Sequence, residues 1–161
     1  MMKNNEKKGL FPMFVDLREK KIVVIGAGKI ATRRITTLTQ FCETITVIAP
    51  EAETAVQQLA ADGEIIWIQK PYDRDDLYGA DIVLAATDDP KLNDEIHSVC
   101  KCLGILVNVC SDQRKCDFQF PGIVKEDEVV IGINAAGTDH HKVKRIRECV
   151  EEAFARGEGN E

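Results

Sequence analysis

Lys21-Ile22-Val23-Val24-Ile25-Gly26-Ala27-Gly28-Lys29-Ile30-Ala31 is the stretch on which the fold turns. Four consecutive β-favouring apolar residues, with no polar alternation, predict a strand over 21–25 buried on both faces. A G-x-G-x-x-A follows at once and opens a predicted helix over 29–41. In that order each small residue has a task. Gly26 permits the tight turn, Gly28 lets a pyrophosphate approach the backbone, and Ala31 lets helix and strand pack closely. An anion held there meets the free N–H groups of the helix N-terminus. A purely structural glycine turn is the competing reading; the position between strand and helix points to dinucleotide binding.

Working outward, short Val/Ile-rich runs alternate with helix-like stretches: strands over 44–48, 65–68, 82–85 and 106–109, and helices over 53–62 and 90–103, with a polar stretch at 73–78. This alternation predicts an α/β fold, a Rossmann-type parallel sheet. Residues 13–17 are expected as an extra strand before it. Beyond Val109 the pattern changes. Strands are expected over 118–120 and 129–134, separated by Pro121 and a charged turn at 125–128. Val143, Ile146, Cys149, Val150 and Phe154 then recur at helical spacing, with Asp139 as cap. A strand pair and one amphipathic helix bury little alone, so this short C-terminal strand-plus-helix segment is expected to pack on the sheet or on a second copy, giving a homodimer.

The 161 residues carry a formal net charge of −6, with 44% hydrophobic and 30% charged residues, which suits one nucleotide-binding domain with a small appendage. The acidic balance argues against nucleic acid as a partner, because phosphate neutralisation needs a concentrated basic face. Residues 1–8 lead into no apolar signal core and no run is long enough to span a bilayer, so a cytoplasmic protein without membrane association is expected. The six cysteines are then expected as free thiols. Cys100 and Cys102 fall on diverging faces of their helix, and His140 and His141 have no further ligand at metal-binding spacing, so no metal site is expected.

The end of the second strand supplies the next test. Pro50 and Glu51 stand just beyond it, where a carboxylate can reach the adenosine ribose, and no nearby Arg favours a 2′-phosphate; the expected cofactor is NAD. Glu51 could equally respond to the following helix dipole. Thr87 and Asp88 follow the fourth strand at the edge where cofactor and substrate meet, either lining the nicotinamide side or capping the helix from Pro90. Residues 1–112 thus form the expected NAD-binding domain and 113–161 the dimerisation and substrate-side segment.

Phe11-Pro12-Met13-Phe14-Val15-Asp16-Leu17, the glycine turn with Arg33-Arg34, Val47-Ile48-Ala49-Pro50, Ala85-Ala86-Thr87-Asp88-Asp89, and Asn108-Val109 followed by Cys116-Asp117-Phe118-Gln119-Phe120-Pro121 together resemble the precorrin-2 dehydrogenases, which occur alone or as the N-terminal part of sirohaem synthases. The resemblance runs from about Phe11 to Phe154. It implies oxidation of precorrin-2, a tetrapyrrole, to sirohydrochlorin with NAD⁺, and in some members insertion of iron. It also implies that the nucleotide lies against Lys29, Ile30, Pro50 and Glu51, and that the segment after the sheet dimerises.

Three departures from the family pattern stand out. An Asp linked to catalysis and chelation aligns with Ser111, and Asp112 follows directly; the catalytic candidates are therefore Asp112, by a small backbone shift, and Ser111. Asp112 could also be an ordinary turn carboxylate. Ala136-Gly137-Thr138-Asp139-His140 replaces the family's Gly-Gly-x-Ser-Pro turn, and the further helical region of chelating forms is missing. Arg114, Lys115, Lys142, Lys144, Arg145 and Arg147 could pair substrate carboxylates, or the last four could form a solvated helix face. Three other functions compete: a non-catalytic module sensing NAD(H) or holding a tetrapyrrole, a ferrochelatase without dehydrogenase activity, and an NAD regulatory domain of a transport system.

Overall fold

A computed structural model describes residues 9–137 and 139–157; the expectations that rest on residues 1–8 and on Thr138 fall outside these. The chain divides into two compact units. One is Val15–Phe118; the other joins the described parts of Met1–Phe14 and Gln119–Glu161.

In the larger unit, β1 (Ile22–Ile25), β2 (Ile45–Ile48), β3 (Ile66–Ile68), β4 (Ile82–Ala85) and β5 (Leu106–Val109) form a wholly parallel sheet in the order β3-β2-β1-β4-β5. Helices α1 (Lys29–Leu38), α2 (Thr54–Ala61) and α3 (Pro90–Leu103) make the crossovers, with a single 3₁₀ turn over Arg74–Leu77 before β4. β1 is central and all four of its residues are at most 1% exposed, as its unbroken apolar run requires. On one face Val23, Ile25, Val83, Ala85 and Val107 pack with Ile96 and Cys100 of α3. Ala31, Ile35 and Leu38 form the buried stripe of α1.

Register decides where a ligand can go. Ile25 pairs with Ile48 and with Ala85, and Ala85 with Val109. The residues that follow, Gly26, Ala49, Ala86 and Cys110, therefore emerge along one edge. Crossovers leave β1 and β4 in opposite directions along the sheet, which opens a crevice at that edge.

β5 is an outer strand, and its free side is clasped by side chains. Leu106 and Cys110 donate to Asp81 and Ala85 on the β4 side. Outward, Val107 N–H donates to Asp117 Oδ2 (2.9 Å) and Asp117 N–H returns to Val107 O (2.9 Å). Val109 N–H donates to Cys116 Sγ (3.2 Å), whose thiol donates to Val109 O (3.3 Å). Exposed edge groups are thereby satisfied without a sixth strand.

The smaller unit is an antiparallel hairpin, β6 (Gly122–Glu126) and β7 (Val129–Ile133), with α4 (His140–Gly157) against it. Asp139 caps α4, accepting from Lys142 N–H at 2.8 Å as its position predicts. A Cβ on Gly122 would lie 2.9 Å from Val143 Cγ1, so the helix seats on the strand at a residue that can only be small.

Three expected elements are corrected. Residues 13–17 form no strand: Asp16 folds back on Arg18 and Lys20 N–H donates to Leu17 O, making a turn. Residues 118–120 form none either, because Phe118 O is taken by Asn108 Nδ2 (2.8 Å) and pairing begins only after Pro121, which has no N–H to give. The charged turn shrinks to Asp127-Glu128, since Lys125 and Glu126 pair with Val130 and Val129, and Asp127 supplies the positive φ of +48°.

Candidate active site

The glycine turn sits at the crevice. Gly26 has φ +99°, and a Cβ there would lie 2.5 Å from Ala86 O and 3.0 Å from Thr87 N. Its bareness brings the β1 turn against the end of β4. Gly28 differs: it caps α1 at φ −79°, and a Cβ would meet nothing within 4 Å. No side chain caps this helix and its first turn holds no carboxylate. What the turn presents is an open cradle with uncapped N–H groups, the setting a diphosphate needs. The residues present therefore fit a dinucleotide. Lys29 and Ile30 stand exposed beside the cradle, Ile30 at 46%.

The β2 loop is tied to the same turn. Glu53 N–H donates to Ala27 O (3.1 Å), and Trp67 Nε1 and Gln69 Nε2 hold Ala49 O and Pro50 O at 3.0 and 3.1 Å. Pro50 and Glu51 are thus exposed on an anchored loop. Glu51 does not cap α2, whose N-cap is Glu53.

Neither Thr87 nor Asp88 caps α3; that cap is Asp89, which accepts from Lys91 N–H at 2.9 Å. Thr87 is held instead by Asn93, and Asp88 is exposed. Asn93 is 0% exposed and uses its full hydrogen-bonding capacity. Its Oδ1 accepts from Thr87 N–H (3.2 Å) and Thr87 Oγ1 (2.8 Å); its Nδ2 donates to Thr87 O (3.1 Å) and to Ser111 Oγ (3.1 Å). The ends of β4 and β5 are joined through this one amide.

Ser111 is exposed at the edge and Asp112 half-buried beside it. Asp112 begins a 3₁₀ turn, accepting from Arg114 N–H (3.0 Å) and from Arg114 Nε and Nη2 (3.0 and 2.9 Å). These bonds hold its carboxyl far below the usual range, at about 2. Lys115 pairs with Asp94. Behind the loop, Arg34 of α1 donates to buried Asn108. Lys144 and Arg147 form i,i+4 pairs with Glu148 and Glu151 on α4. The six cysteines are free thiols; Cys100 is buried and Cys102 exposed, and burial pushes the Cys100 thiol up to about 11.

Sequence reading missed Asn93, Arg34, Asn108, Cys116 and Asp117 as structural parts of this edge. Asn93 left a usable signal: it shares the stripe of Ile96 and Cys100, three and seven residues on, where a polar residue is out of place.

Comparison with known proteins decides the family. A family model described as "Putative NAD(P)-binding" matches residues 13–122. The chain belongs to this NAD(P)-binding family. The siroheme synthase of Pseudoalteromonas atlantica is 37% identical over 141 residues, covering 88% of this chain and 30% of that protein. That of a Psychrobacter species is 35% identical over 149 residues, covering 92% and 31%. The chain thus spans about a third of the length of these relatives. The solved structure of SirC, a precorrin-2 dehydrogenase, superposes with a TM-score of 0.77 at 25% identity, over 89% of this chain and 70% of that one. The resemblance read from the residues is borne out, as is the Rossmann-type sheet of this NAD(P)-binding chain.

Proposed function

We propose that this chain is a precorrin-2 dehydrogenase that uses NAD⁺ in sirohaem biosynthesis, converting precorrin-2 to sirohydrochlorin. The observation that carries the reading is the open, uncapped cradle at Gly28, on the crevice edge of a fold shared with SirC. Bound NAD⁺ would supply the hydride acceptor; one hydride and one proton leave the macrocycle, and NADH and H⁺ are released with the product.

The residues divide the remaining work. Gly26, Gly28, Lys29 and Ile30 take the diphosphate side, Pro50 and Glu51 the adenosine ribose, and Thr87 and Asp88 the nicotinamide side. Glu51 without a neighbouring Arg favours NAD over NADP. Ser111 and Asp112 stand on the substrate side. Asp112 is a carboxylate at every physiological pH, so it accepts the proton only once Arg114 exchanges it for a substrate carboxylate. Arg114 is suited to that exchange because its fork pairs carboxylates bidentately.

A homodimer belongs to the same reading. β7 and α4 leave an apolar groove of about 440 Å³ lined by Ile131, Ile146, Val150 and Phe154, and no residue of α4 is fully buried. A second copy covering this face would give the helix the burial it lacks. Residues 1–112 would then be the NAD-binding domain and 113–161 the dimerising, substrate-side segment, in a cytoplasmic enzyme. No described helix is long and apolar enough to cross a membrane.

One observation supports a second reading. Asp112 is occupied by Arg114, and the resemblance puts Ser111 where the family pattern has an Asp, as suits a module that holds NAD(H) or a tetrapyrrole without turnover. Anaerobic incubation with precorrin-2 and NAD⁺, read by NADH absorbance and the sirohydrochlorin spectrum, separates the two. Turnover that is lost in Asp112→Ala supports the full proposal; turnover surviving in that variant discards Asp112 as proton acceptor. NAD⁺ binding without turnover in the unaltered chain selects the holding module.

A further inference from the structure

We infer that Asn93 is a positioning residue that sets the direction of the Ser111 hydroxyl and holds Thr87 level with it across the crevice. The inference rests on the dehydrogenase reading but adds a residue to it. Asn93 is the one polar side chain on the buried stripe of α3, where an amide left without hydrogen-bond partners would be destabilising. Its four bonds prevent this and, in doing so, leave no freedom in the amide's orientation. Thr87 N–H can only donate, so Oδ1 must face it; Nδ2 must then face Thr87 O and Ser111 Oγ.

The consequence falls on Ser111. Its oxygen receives the amide proton, so its own proton is turned away from Asn93, and Ser111 is solvent-exposed. A hydroxyl fixed in this way presents a donor at the carboxyl end of β5, suited to an oxygen of an anionic substrate. A carboxylate at position 111 could offer only acceptors. The same amide clamps the turn after β4 through three bonds to Thr87, so the two loops that flank the crevice share one support.

Asn93→Asp tests this with almost no change of shape. Ionised or protonated, the introduced carboxyl still accepts from Thr87 N–H and has no proton for Ser111, because a single acid proton is taken by Thr87 O, which can only accept; Ser111 must then turn its own proton inward. We expect kcat/KM for precorrin-2 to fall about tenfold in Asn93→Asp and in Ser111→Ala. The double variant should be within about twofold of Ser111→Ala, because both changes remove the same outward donor. The Kd for NAD⁺ should stay within about threefold throughout. Multiplying effects, near a hundredfold in the double variant, would show that Asn93 acts through the fold and not through Ser111, and would overturn the inference. Unchanged kinetics in either single variant would do the same.

Should Asn93→Asp fail to fold, Ser111→Thr decides against Ser111→Ala: retention of activity in the first and loss in the second supports an oriented hydroxyl, and equal activity overturns it. If the unaltered chain does not oxidise precorrin-2, the proposed function fails by itself. The link is then read by hydrogen exchange in Asn93→Leu, where joint acceleration at Thr87 and residues 110–112 supports it and acceleration at Thr87 alone refutes it.

Discussion

Gly26 and Gly28 are two residues apart and nominally serve one motif, yet Ala at each should fail differently. Ala at 26 places a Cβ 2.5 Å from Ala86 O, 2.8 Å from Ala86 C and 3.0 Å from Thr87 N, all backbone atoms, at a φ of +99°. Holding a non-glycine residue in that region costs about 1–3 kcal/mol. Forcing the β1 turn off the end of β4 adds about 1–3 kcal/mol as overpacking. The combined loss of about 2–6 kcal/mol is a large share of a typical domain's stability, and at this chain length lowers Tm by roughly 5–20 °C. Ala at 28 sits at φ −79° with nothing within 4 Å of its Cβ. Its cost is that of a weaker N-cap, about 1 kcal/mol at most, so Tm should move by no more than about 4 °C. Its Cβ, however, fills the space assigned to the diphosphate, and the Kd for NAD⁺ should rise at least about tenfold, or 1.4 kcal/mol. Thermal melts paired with calorimetric titration of NAD⁺ read both quantities. Wild-type affinity in Gly28→Ala would put the diphosphate somewhere else, and a wild-type melt in Gly26→Ala would refute the close approach.

Glu51→Ala should weaken NAD⁺ binding about fivefold to tenfold, the worth of one or two ribose hydrogen bonds, and narrow the preference over NADP⁺; an unchanged ratio of the two affinities in titrations would remove Glu51 from the ribose site. Ile146→Asp places a charge in the apolar groove of the hairpin unit and should convert the dimer to monomer in sedimentation velocity runs. A monomeric wild type at micromolar concentration would end the dimer proposal. Acid stability offers a fourth test. Arg114 depresses the Asp112 pKa to about 2, from an ordinary value near 3.9 in the unfolded chain. The unfolded state therefore takes up the proton first, and the stability this pair gives is complete above about pH 4 and lost as pH falls through 2. Asp112→Asn should be less stable at neutral pH and lose less between pH 4 and 2, although Asp16, held near 2 by Arg18, keeps some slope in both. Parallel acid melts for the two proteins would exclude the pairing.

The parallel sheet was legible because its signals are local and repeated. The strands are short, mainly apolar runs, interrupted only by Thr46 in β2 and Asn108 in β5, and α1 and α3 show buried stripes such as Ala31, Ile35 and Leu38. The misread segments are those where an apolar run meets a competing partner. Phe118-Gln119-Phe120 has strand composition, but Asn108, ten residues upstream, takes the Phe118 carbonyl. Met13 to Leu17 reads as strand until Asp16 and Arg18 close on each other. Lys125 and Glu126 look like turn residues by charge, while the pairing of Glu126 with Val129 leaves room for only two residues in the loop.

At the site the same distinction holds. The glycine turn announces itself by spacing, whereas the residues that shape the rest of the crevice act at a distance in sequence: Asn93 on Ser111, eighteen residues away, and Arg34 on Asn108, seventy-four away. The segment Cys116-Asp117-Phe118, part of what carried the resemblance, acquires a physical reason from the structure. Cys116 brackets Val109, Asp117 brackets Val107, and Phe118 receives Asn108, so three consecutive residues stand in for a missing strand along β5. That clasp also fixes both ends of the loop that holds Ser111 and Asp112: it leaves β5 at Val109 and returns to the same strand at Cys116. With Asn93 of α3 gripping Ser111, the loop is pinned at both ends and at one point between them. Rigid support of this kind spares a site the entropy of ordering its own groups when substrate arrives.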